Sequence, residues 1–429
     1  MEFEYIIVGA GLSGLNLAKE LVQRGKKVLL LEKGRFLNIN KLGSIIYAAT
    51  FYDKCALAKS KERVLIYRVF GVGGTSIVSC SNAIEPYFRI KEEFRKLNIE
   101  FEKEIDEVKR EYGVNSKNLP VGKASLKIME EANKLGYETK IMPKFALSGE
   151  CRLCGKCILG CKWNVKWTAL KFLENIDKGK LKIVTNFNVE KIIISNGKAE
   201  GVEGKFLGVN RKKIYAEKII LAAGGIGTPI ILQNSGIEAG NNLFVDYFNI
   251  TYGFHPSLTQ KKEPCMSVIC DKFYQSEGFI LSPMVDNFVG FLSSVEKAYF
   301  FKVYKLHHLL GIMTKIKDEE NGRVLKNGVI EKTPTQKDLE KLRKGSEIAK
   351  EILIKCGVSP QSIIVTQPRG AHPGGTARIG EVVNNRLETR MKNLFVCDAS
   401  ILPMSFGIPP MLTLIALGKW FVRNVLERF

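Results

Sequence analysis

The feature that most constrains this chain is its first apolar run, Tyr5–Val8, which leads directly into three glycines with G-x-G-x-x-G spacing. In a strand–turn–helix unit, Gly9 permits a tight turn and Gly11 lets a pyrophosphate approach the backbone. Gly14 lets the following helix pack close to the strand, and the N-terminus of that helix offers unpaired N–H groups to phosphates. The segment therefore predicts a dinucleotide-binding β-α-β unit.

The continuation of the segment strengthens this prediction. A second apolar run, Val28–Leu31, ends at Glu32, whose carboxylate can accept hydrogen bonds from an adenosine ribose. Strand, helix, second strand and acid follow one another in the expected order, which a chance glycine turn would not explain. The unit leaves open which dinucleotide binds, and whether it is a substrate or a prosthetic group.

The composition is ordinary for a soluble globular protein. The chain has 429 residues, enough for two or three domains, and 45% of them are hydrophobic. It begins without a basic leader, and prolines interrupt its longest uncharged apolar stretch, residues 399–418, so we expect neither a signal peptide nor a membrane span. We therefore expect a cytoplasmic protein whose ten cysteines stay free for metals or chemistry.

The formal net charge of +21 could indicate a nucleic-acid or anionic-membrane partner. The basic residues are spread along the chain rather than gathered in one arm, which favours a lysine-rich solvated surface. We therefore expect no nucleic-acid partner. The charge would also attract an acidic electron-carrier protein.

A second glycine-rich segment follows at residues 70–82. Gly71, Gly73 and Gly74 contribute no side chains to a core, so they mark a place where the backbone approaches something closely. A simple surface turn is the alternative. Residues 86–136 then carry a charged helical pattern, which predicts the start of a second domain.

Four cysteines have the C-x2-C-x2-C-x3-C spacing of a bacterial ferredoxin: Cys151, Cys154, Cys157 and Cys161. Thiolates at this spacing predict an iron–sulfur cluster, with a [4Fe-4S] cube inside the loop. Lys162 replaces the usual following proline, and the fourth ligand could be Cys161 or one of the remote thiols Cys80, Cys265 and Cys270. Zinc and a metal-free packing motif are the alternatives. Nearby lysines would suit an acidic redox partner: Lys156, Lys162 and Lys166.

From residue 181 the pattern turns to strands, and the last of these runs into a glycine turn, residues 224–227. A helix is expected to open at Pro229, since proline favours the first helical position. Residues 296–308 form an aromatic and basic segment. Its apolar face is best explained by core packing. A hydrophobic substrate entrance or a peripheral membrane contact is the alternative.

The C-terminal part contains His372 in the sequence AHPGGTARIG, then an apolar run that ends at Asp398, then a final helix to about Leu426. The apolar run, residues 394–397, looks like a buried strand. We predict that it joins the opening sheet, because the chain has no later strands with which to build another.

Taken together, these motifs resemble the glucose-methanol-choline (GMC) family of FAD oxidoreductases. The resemblance rests on the opening fingerprint, on GVGGTS at 71–76, on LAAGGIGTPIILQNSGI at 221–237, and on AHPGGTARIG followed by NLFVCDASILP. It implies an α/β protein (α+β overall), with a Rossmann-like FAD-binding domain and a discontinuous second, substrate domain. It also implies two-electron oxidation of a CH–OH group, or the reverse reduction.

The resemblance divides the chain into interleaved segments. The FAD-binding domain is predicted to comprise residues 1–85, 181–249 and 366–429. The substrate or cap domain is predicted to comprise residues 86–180 and 250–365, including the cysteine-rich segment 145–166. Residues 86–145 and 250–365 are those that the resemblance covers weakly.

The resemblance also assigns site residues. His372 is the predicted catalytic base, since an imidazole that titrates near neutral pH can accept the hydroxyl proton. The helix opening near Met411 would direct its positive end at the flavin pyrimidine ring. The predicted cofactor-binding residues are Gly9, Gly11, Gly14, Glu32, Gly73, Gly74, Thr75, Ser76, Asn82, Ala223, Gly224, Asp398, Ala399, Pro410 and Met411.

Two departures from the family pattern shape the functional hypotheses. The family has a second His or Asn facing the catalytic histidine, and the corresponding position here is Pro409. The cysteine run is also unusual for the family. The first hypothesis is a dehydrogenase or reductase coupled through the cluster to a ferredoxin-like carrier rather than to oxygen. The second is a flavin-dependent reductase of a C=C or carbonyl bond in a lipid-like substrate. The third is a non-catalytic electron-transfer or scaffold flavoprotein.

Overall fold

The opening strand lies at the centre of a parallel sheet in the computed structural model, which describes residues 2–38, 41, 57–117, 119–147, 149–295 and 307–427. Most of the predicted aromatic and basic segment, residues 296–306, lies outside the described residues. The described strands are β1 Tyr5–Val8, β2 Val28–Leu31, β3 Leu57–Lys59, β4 Leu65–Tyr67, β5 Lys140–Ile141, β6 Leu181–Val184, β7 Phe187–Ser195, β8 Lys198–Phe206, β9 Asn210–Tyr215, β10 Lys218–Leu221, β11 Phe248–Phe254, β12 Val268–Ile269, β13 Phe279–Pro283, β14 Leu309–Ile316, β15 Arg323–Val324, β16 Ile330–Glu331, β17 Ile364–Val365, β18 Gly370–Ala371 and β19 Leu394–Val396.

The helices connect and cover these strands. The described α-helices are α1 Leu12–Gln23, α2 Phe88–Arg95, α3 Glu102–Glu111, α4 Lys123–Lys134, α5 Gly224–Asn234, α6 Tyr274–Glu277, α7 Phe288–Ser294, α8 Gln336–Lys355 and α9 Met411–Phe421. A π-helical turn, Val422–Leu426, extends α9. Short 3-10 turns lie at Gly74–Val78, Cys157–Leu159, Ala169–Leu173, Pro360–Ser362 and Ala399–Ile401.

The parallel sheet has five strands in the order β19-β10-β1-β2-β6. Its central strands are continuous apolar runs buried along their whole length, as expected for a parallel sheet covered on both faces. Tyr5 pairs with Val28 on one side and with Lys218 on the other, and Ile219 pairs with Leu394. The run near residue 394 therefore joins the opening sheet, as predicted.

Helices α1 and α9 pack against each other over this sheet. Gly418 of α9 leaves room for the side chain of Asn16, whose Nδ2 donates to the Ile415 carbonyl at 2.9 Å. A buried ion pair between Lys419 Nζ and Glu20 Oε1, 2.7 Å apart, joins the same two helices. The first and last segments of the described chain are thereby packed into one layer.

A second, antiparallel sheet has the strand order β13-β14-β11-β17 and is covered by α8. Apart from Phe248 and Asn249, its residues come from the segment predicted to form the substrate domain, whose boundaries remain a prediction. Helix α8 begins with a capping box, in which Thr335 accepts a hydrogen bond from the Asp338 N–H and Asp338 accepts one from the Thr335 N–H.

The prediction that a helix opens at Pro229 is wrong. Helix α5 begins at Gly224 and contains Pro229 in its interior. A proline there lacks the N–H that would bond to the carbonyl of Gly225. That carbonyl instead accepts a hydrogen bond from Thr376 Oγ1 at 2.7 Å, so tertiary structure supplies the missing donor.

Within the described residues, none of the helices combines the length and the apolar character needed to span a membrane.

Candidate active site

A cavity of about 890 Å³ extends from the glycine turns at the carboxyl end of β1 to the His372 region. Crevices at the carboxyl ends of parallel strands are the usual ligand sites of open α/β sheets. The predicted cofactor residues line this cavity, except Gly14 and Gly73. The sequence motifs from the start, middle and end of the chain therefore converge on one cavity.

Two glycine loops form one end of the cavity. Gly74 has a φ of +52°, and a Cβ on it would lie 2.7 Å from the Cα of Gly11. The Gly73 N–H donates to the Ala10 carbonyl at 2.8 Å, which joins the second loop to the first. Gly14 does not line the cavity, because its role is packing: a Cβ there would overlap the Gly9 carbonyl oxygen. The glycines thus allow both the close contact of the loops and access to the backbone.

Gly11 differs from these glycines because a side chain at this position would not clash with the rest of the protein. The nearest atom to a Cβ at Gly11 is Gly74 Cα, 4.0 Å away, and Gly11 lines the cavity. The protein itself therefore leaves space for a side chain there, and a ligand would fill it. Helix α1 also begins next to Gly11 without a side-chain cap, which leaves N–H groups for phosphate oxygens.

Glu32 is positioned by backbone donors. Its carboxylate accepts hydrogen bonds from the N–H groups of Ala10 at 2.8 Å, Gly34 at 2.7 Å and Gly71 at 3.1 Å. Glu32 therefore joins the two glycine loops, a structural role that the sequence did not indicate. Its predicted role toward a ribose stays a prediction; the side chain does line the cavity.

Asp398 has a similar linking role at the end of β19. It accepts hydrogen bonds from the Gly224 N–H at 2.8 Å, Thr228 Oγ1 at 2.6 Å and the Ser400 N–H at 2.7 Å. Burial raises the pKa of Asp398, and these donors oppose that rise. The residue ties the second glycine turn to the C-terminal segment.

His372 lies at the other end of the cavity and is paired with an acid that the sequence analysis missed. Its Nδ1 is 2.9 Å from Asp246 Oδ2, which leaves Nε2 as the ring nitrogen available to a substrate. His372 and Asp246 both have left-handed backbones, with φ of +62° and +47°. Such conformations are held only where the surrounding structure fixes them, and they cluster at functional sites.

Asp246 is itself held on several sides. Its Oδ1 lies 2.8 Å from Ser405 Oγ and accepts the Gly407 N–H at 2.9 Å, and its Oδ2 is 3.8 Å from Lys315 Nζ. Burial raises the pKa of Asp246, but Lys315, His372 and Gly407 outweigh burial and leave that pKa lowered. The one sequence signal for this residue was a lone acid within the apolar run LFVDYF.

Burial and the positive charge of Lys315 lower the pKa of His372 below its ordinary value of 6.5, with Asp246 opposing them. A histidine that acts as a base must be neutral, so activity should appear as the pH rises through this pKa. We expect the acidic limb of the pH profile of kcat/KM to lie below pH 6.5. Asp246→Asn removes a charge that favours the imidazolium, and should move the limb to still lower pH. A wild-type limb above pH 6.5 would contradict this assignment.

Pro409 lines the cavity together with Pro410 and Met411, where α9 begins. Position 409, which the resemblance predicts to correspond to the family's second polar residue, thus presents an apolar ring to the cavity. Lys315, which sequence reasoning also missed, lines the same cavity.

The cysteine run lies beside the cavity but not in the predicted arrangement. Cys157 is adjacent to Cys265, which also contacts Cys80, a residue of the cavity wall. A hydrogen bond from Cys265 and the charge of Lys166 lower the pKa of Cys157 to about 5, although burial opposes them. In the part of the chain that the structure describes, no group of three or more His, Cys, Asp or Glu side chains could hold a metal ion. The geometry thus gives no support to a metal site formed by Cys151, Cys154, Cys157 and Cys161.

A parallel sheet whose glycine turns open into a large cavity, with a carboxylate-paired histidine also lining that cavity, is typical of a dinucleotide-dependent oxidoreductase. The family models for GMC oxidoreductases match residues 3–248 (N-terminal part) and 329–418 (C-terminal part). The chain belongs to the GMC oxidoreductase family. It is accordingly an FAD-dependent enzyme, and the alternative of a non-catalytic flavoprotein is not supported.

Several proteins are similar along much of the chain. An uncharacterized protein of Methanocaldococcus jannaschii is 33% identical over 428 residues, covering 99% of this chain and 100% of that protein. A long-chain-alcohol oxidase of Arabidopsis thaliana is 22% identical over 95% of this chain, which spans 65% of that enzyme's length. A cholesterol oxidase of Acinetobacter baumannii is 25% identical over 54% of this chain and 50% of its own.

Solved structures share the fold. Pyridoxine 4-oxidase from Mesorbium loti has a TM-score of 0.74 at 16% identity, with 99% of each chain covered. A variant of Aspergillus oryzae formate oxidase, described for its FAD modification, has a TM-score of 0.78 at 14% identity, with 99% of this chain and 98% of that chain covered. The α/β fold predicted from the motifs is therefore confirmed.

The residues present fit FAD. The missing side chain of Gly11 leaves space for a ligand next to the start of α1. Arg68 lies in the cavity wall, and its buried Nε lacks a hydrogen-bond partner among the described residues. Buried polar groups are normally paired, so an unpaired guanidinium nitrogen beside the glycine loops suits an anionic ligand.

Proposed function

We propose that this protein oxidises a CH–OH group of a lipid-like alcohol, or catalyses the reverse reduction. The single observation that carries the proposal is that His372, held by the buried Asp246, lines the same cavity as the glycine loops. When bound, FAD would supply the acceptor for the hydride that leaves the carbon. The names of the similar long-chain-alcohol and cholesterol oxidases support the substrate class.

Residues of the chain itself would accept the hydroxyl proton of the substrate. Asp246 holds the imidazole through Nδ1 and fixes its tautomer, so that Nε2 can accept the hydroxyl proton. The lowered pKa keeps the ring neutral at physiological pH, ready to act as a base. The apolar side chains of Phe248, Met284 and Met313 line the cavity and suit an aliphatic substrate.

The test is anaerobic flavin reduction, followed by absorbance, with ethanol, octanol, hexadecanol and cholesterol as substrates. We expect the longer or bulkier alcohols to bleach the flavin and ethanol to do so poorly. The reduced enzyme is then mixed with octanal or with an enone to test the reverse reaction and C=C reduction. Bleaching by none of the alcohols, with reoxidation by the enone alone, would replace alcohol oxidation by the reductase alternative.

We also propose that the cysteine-rich segment binds an iron–sulfur cluster that exchanges electrons with an acidic, ferredoxin-like carrier. Support comes from two buried lysines beside the cysteines. Lys144 Nζ donates to the carbonyls of Cys80 and Cys265, and Lys166 Nζ donates to that of Cys157, which would offset thiolate charge. The adjacent thiols Cys80 and Cys265 would then be candidates for the remote ligand.

Anaerobic purification with assays for iron, sulfide and flavin tests the cluster. We expect about four irons per flavin, as in a [4Fe-4S] site, and an EPR signal after reduction. Cys157→Ser should lower the iron content, whereas Cys397→Ser, at a buried thiol directly after β19, should not. Flavin at full occupancy without iron would rule out the cluster and leave the alcohol chemistry untouched.

A further inference from the structure

The His372 end of the cavity lacks a polar side chain at Pro409 that could hold a substrate oxygen. When a base removes the hydroxyl proton, negative charge develops on that oxygen within a mainly apolar cavity. Such charge is costly unless a donor or cation is in place, and preorganised donors of this kind contribute much of enzymatic rate enhancement. A second polar group is therefore needed near His372.

Lys315 is placed to be that group. It lies on β14, only 3% of its side chain is exposed, and it lines the cavity that His372 lines. One carboxylate oxygen, Asp246 Oδ2, is 2.9 Å from His372 Nδ1 and 3.8 Å from Lys315 Nζ, which places both nitrogens around one acid. The Phe248 ring lies beneath the ammonium, with its centre 5.7 Å from Nζ.

The hydrogen bonding of Lys315 is incomplete in comparison with other buried lysines of the described chain. An ammonium group has three donors. Lys332 finds three acceptors: the Glu319 carbonyl, Asn321 Oδ1 and Asp318 Oδ2. Lys144 and Lys166 each also donate to three oxygens. Lys315 donates one hydrogen bond, to the Asp246 carbonyl at 3.0 Å, so donors remain for a ligand.

Resting on the alcohol chemistry proposed above, we propose that Lys315 is a catalytic residue that binds the substrate oxygen and stabilises the alkoxide. The O–H bond breaks, the proton passes to His372 Nε2, and the oxygen's electron pair is held by the Lys315 ammonium. The C–H bond would break as the C=O double bond forms, and bound FAD would supply the acceptor for the hydride and its two electrons. Lys315 thereby takes over the part that a polar residue at position 409 would play.

The test uses the FAD-loaded protein and a probe that does not depend on turnover. Decanoate carries a fixed negative oxygen on an aliphatic chain, and its binding is measured by flavin difference absorbance and calorimetry. Lys315→Met should weaken decanoate binding by about 10-fold or more, as expected for loss of a charged hydrogen bond. Lys315→Arg, which keeps the charge, should retain most of the binding.

Lys332→Met is the matched control, because Lys332 is equally buried and belongs to the same network through Asp318 and Ser405, but does not line the cavity. It should leave decanoate binding unchanged. In alcohol-dependent flavin reduction, Lys315→Met should lower kcat by about 100-fold with a smaller change in KM, and Lys315→Arg, which keeps the positive charge, should retain more of the rate.

Equal losses in Lys315→Met and Lys332→Met, or undiminished decanoate binding in Lys315→Met, would overturn the proposal. If Lys315→Met does not fold, Lys315→Gln provides the same comparison, since it keeps a hydrogen-bond donor without the charge. The proposed function could fail while the Lys315 proposal survives. In that case the wild-type protein would bind decanoate through Lys315, but no alcohol would reduce its flavin.

Discussion

Replacing His372 by asparagine is expected to slow alcohol-dependent flavin reduction by about 10²- to 10⁴-fold, the usual contribution of a general base. Asparagine can form a hydrogen bond but cannot take up a proton at neutral pH. It also tolerates the left-handed backbone of residue 372, which alanine does not, so the fold should be preserved. Stopped-flow absorbance of the flavin under anaerobic conditions measures the effect.

His255→Ala is the control for this experiment. The ring of His255 accepts hydrogen bonds from the N–H groups of Ser257 and Leu258 in a loop, and the residue does not line the cavity. We expect its rate of flavin reduction to match that of the wild type. A rate for His372→Asn within a few-fold of wild type, at equal flavin content, would remove His372 from the mechanism and leave the fold assignment intact.

Replacing Gly11 by valine is expected to abolish FAD retention while the apoprotein stays folded. The conformation of Gly11, with φ of −78°, is open to any residue, and apart from its chain neighbours no described residue has an atom closer than 4.0 Å to the position of a Cβ. A side chain at position 11 should therefore weaken FAD binding rather than destabilise the protein. Overpacking of a fitted contact costs about 1–3 kcal/mol, so FAD affinity should fall roughly 10- to 100-fold with alanine and further with valine.

Quenching of flavin fluorescence on binding to the apoprotein gives the affinity, and thermal unfolding of the apoprotein gives the stability. Gly179→Ala is the matched control, since a Cβ there would meet only the tip of Asp177, outside the cavity. Its FAD affinity should be unchanged. A large drop in the melting temperature of apo Gly11→Ala would mean that the protein, rather than the cofactor, requires this glycine.

The cysteine run shows what residue spacing alone can and cannot predict about a metal site. The spacing predicted a cluster loop whose fourth ligand could be Cys161 or one of three remote thiols, and the fold brings two of those, Cys265 and Cys80, to the neighbourhood of Cys157. Gly155 contributes to this placement, because a Cβ on it would overlap the Lys261 carbonyl, so the run packs tightly against the segment that precedes Cys265. Chain spacing fixes which thiols are close along the backbone, but not which thiols a neighbouring segment adds.

The sequence by itself determined the opening β-α-β unit, the second glycine loop and the position of His372. These features depend on backbone conformations that only glycines or short local patterns permit, and such conformations are set by neighbouring residues. The pairing of residue 394 with the opening sheet was also predictable, since a buried apolar run needs strand partners.

Only the tertiary structure decided the chemistry around His372. Asp246 lies 126 residues before His372 along the chain, and Lys315 joins them because β14 pairs with β11 directly after Asp246. The Gly225 carbonyl that Pro229 leaves free finds its donor in Thr376, again from a distant segment. Buried charges and unpaired backbone groups must be satisfied within a low-dielectric interior, and strand pairing, not sequence proximity, determines which side chains are present to satisfy them.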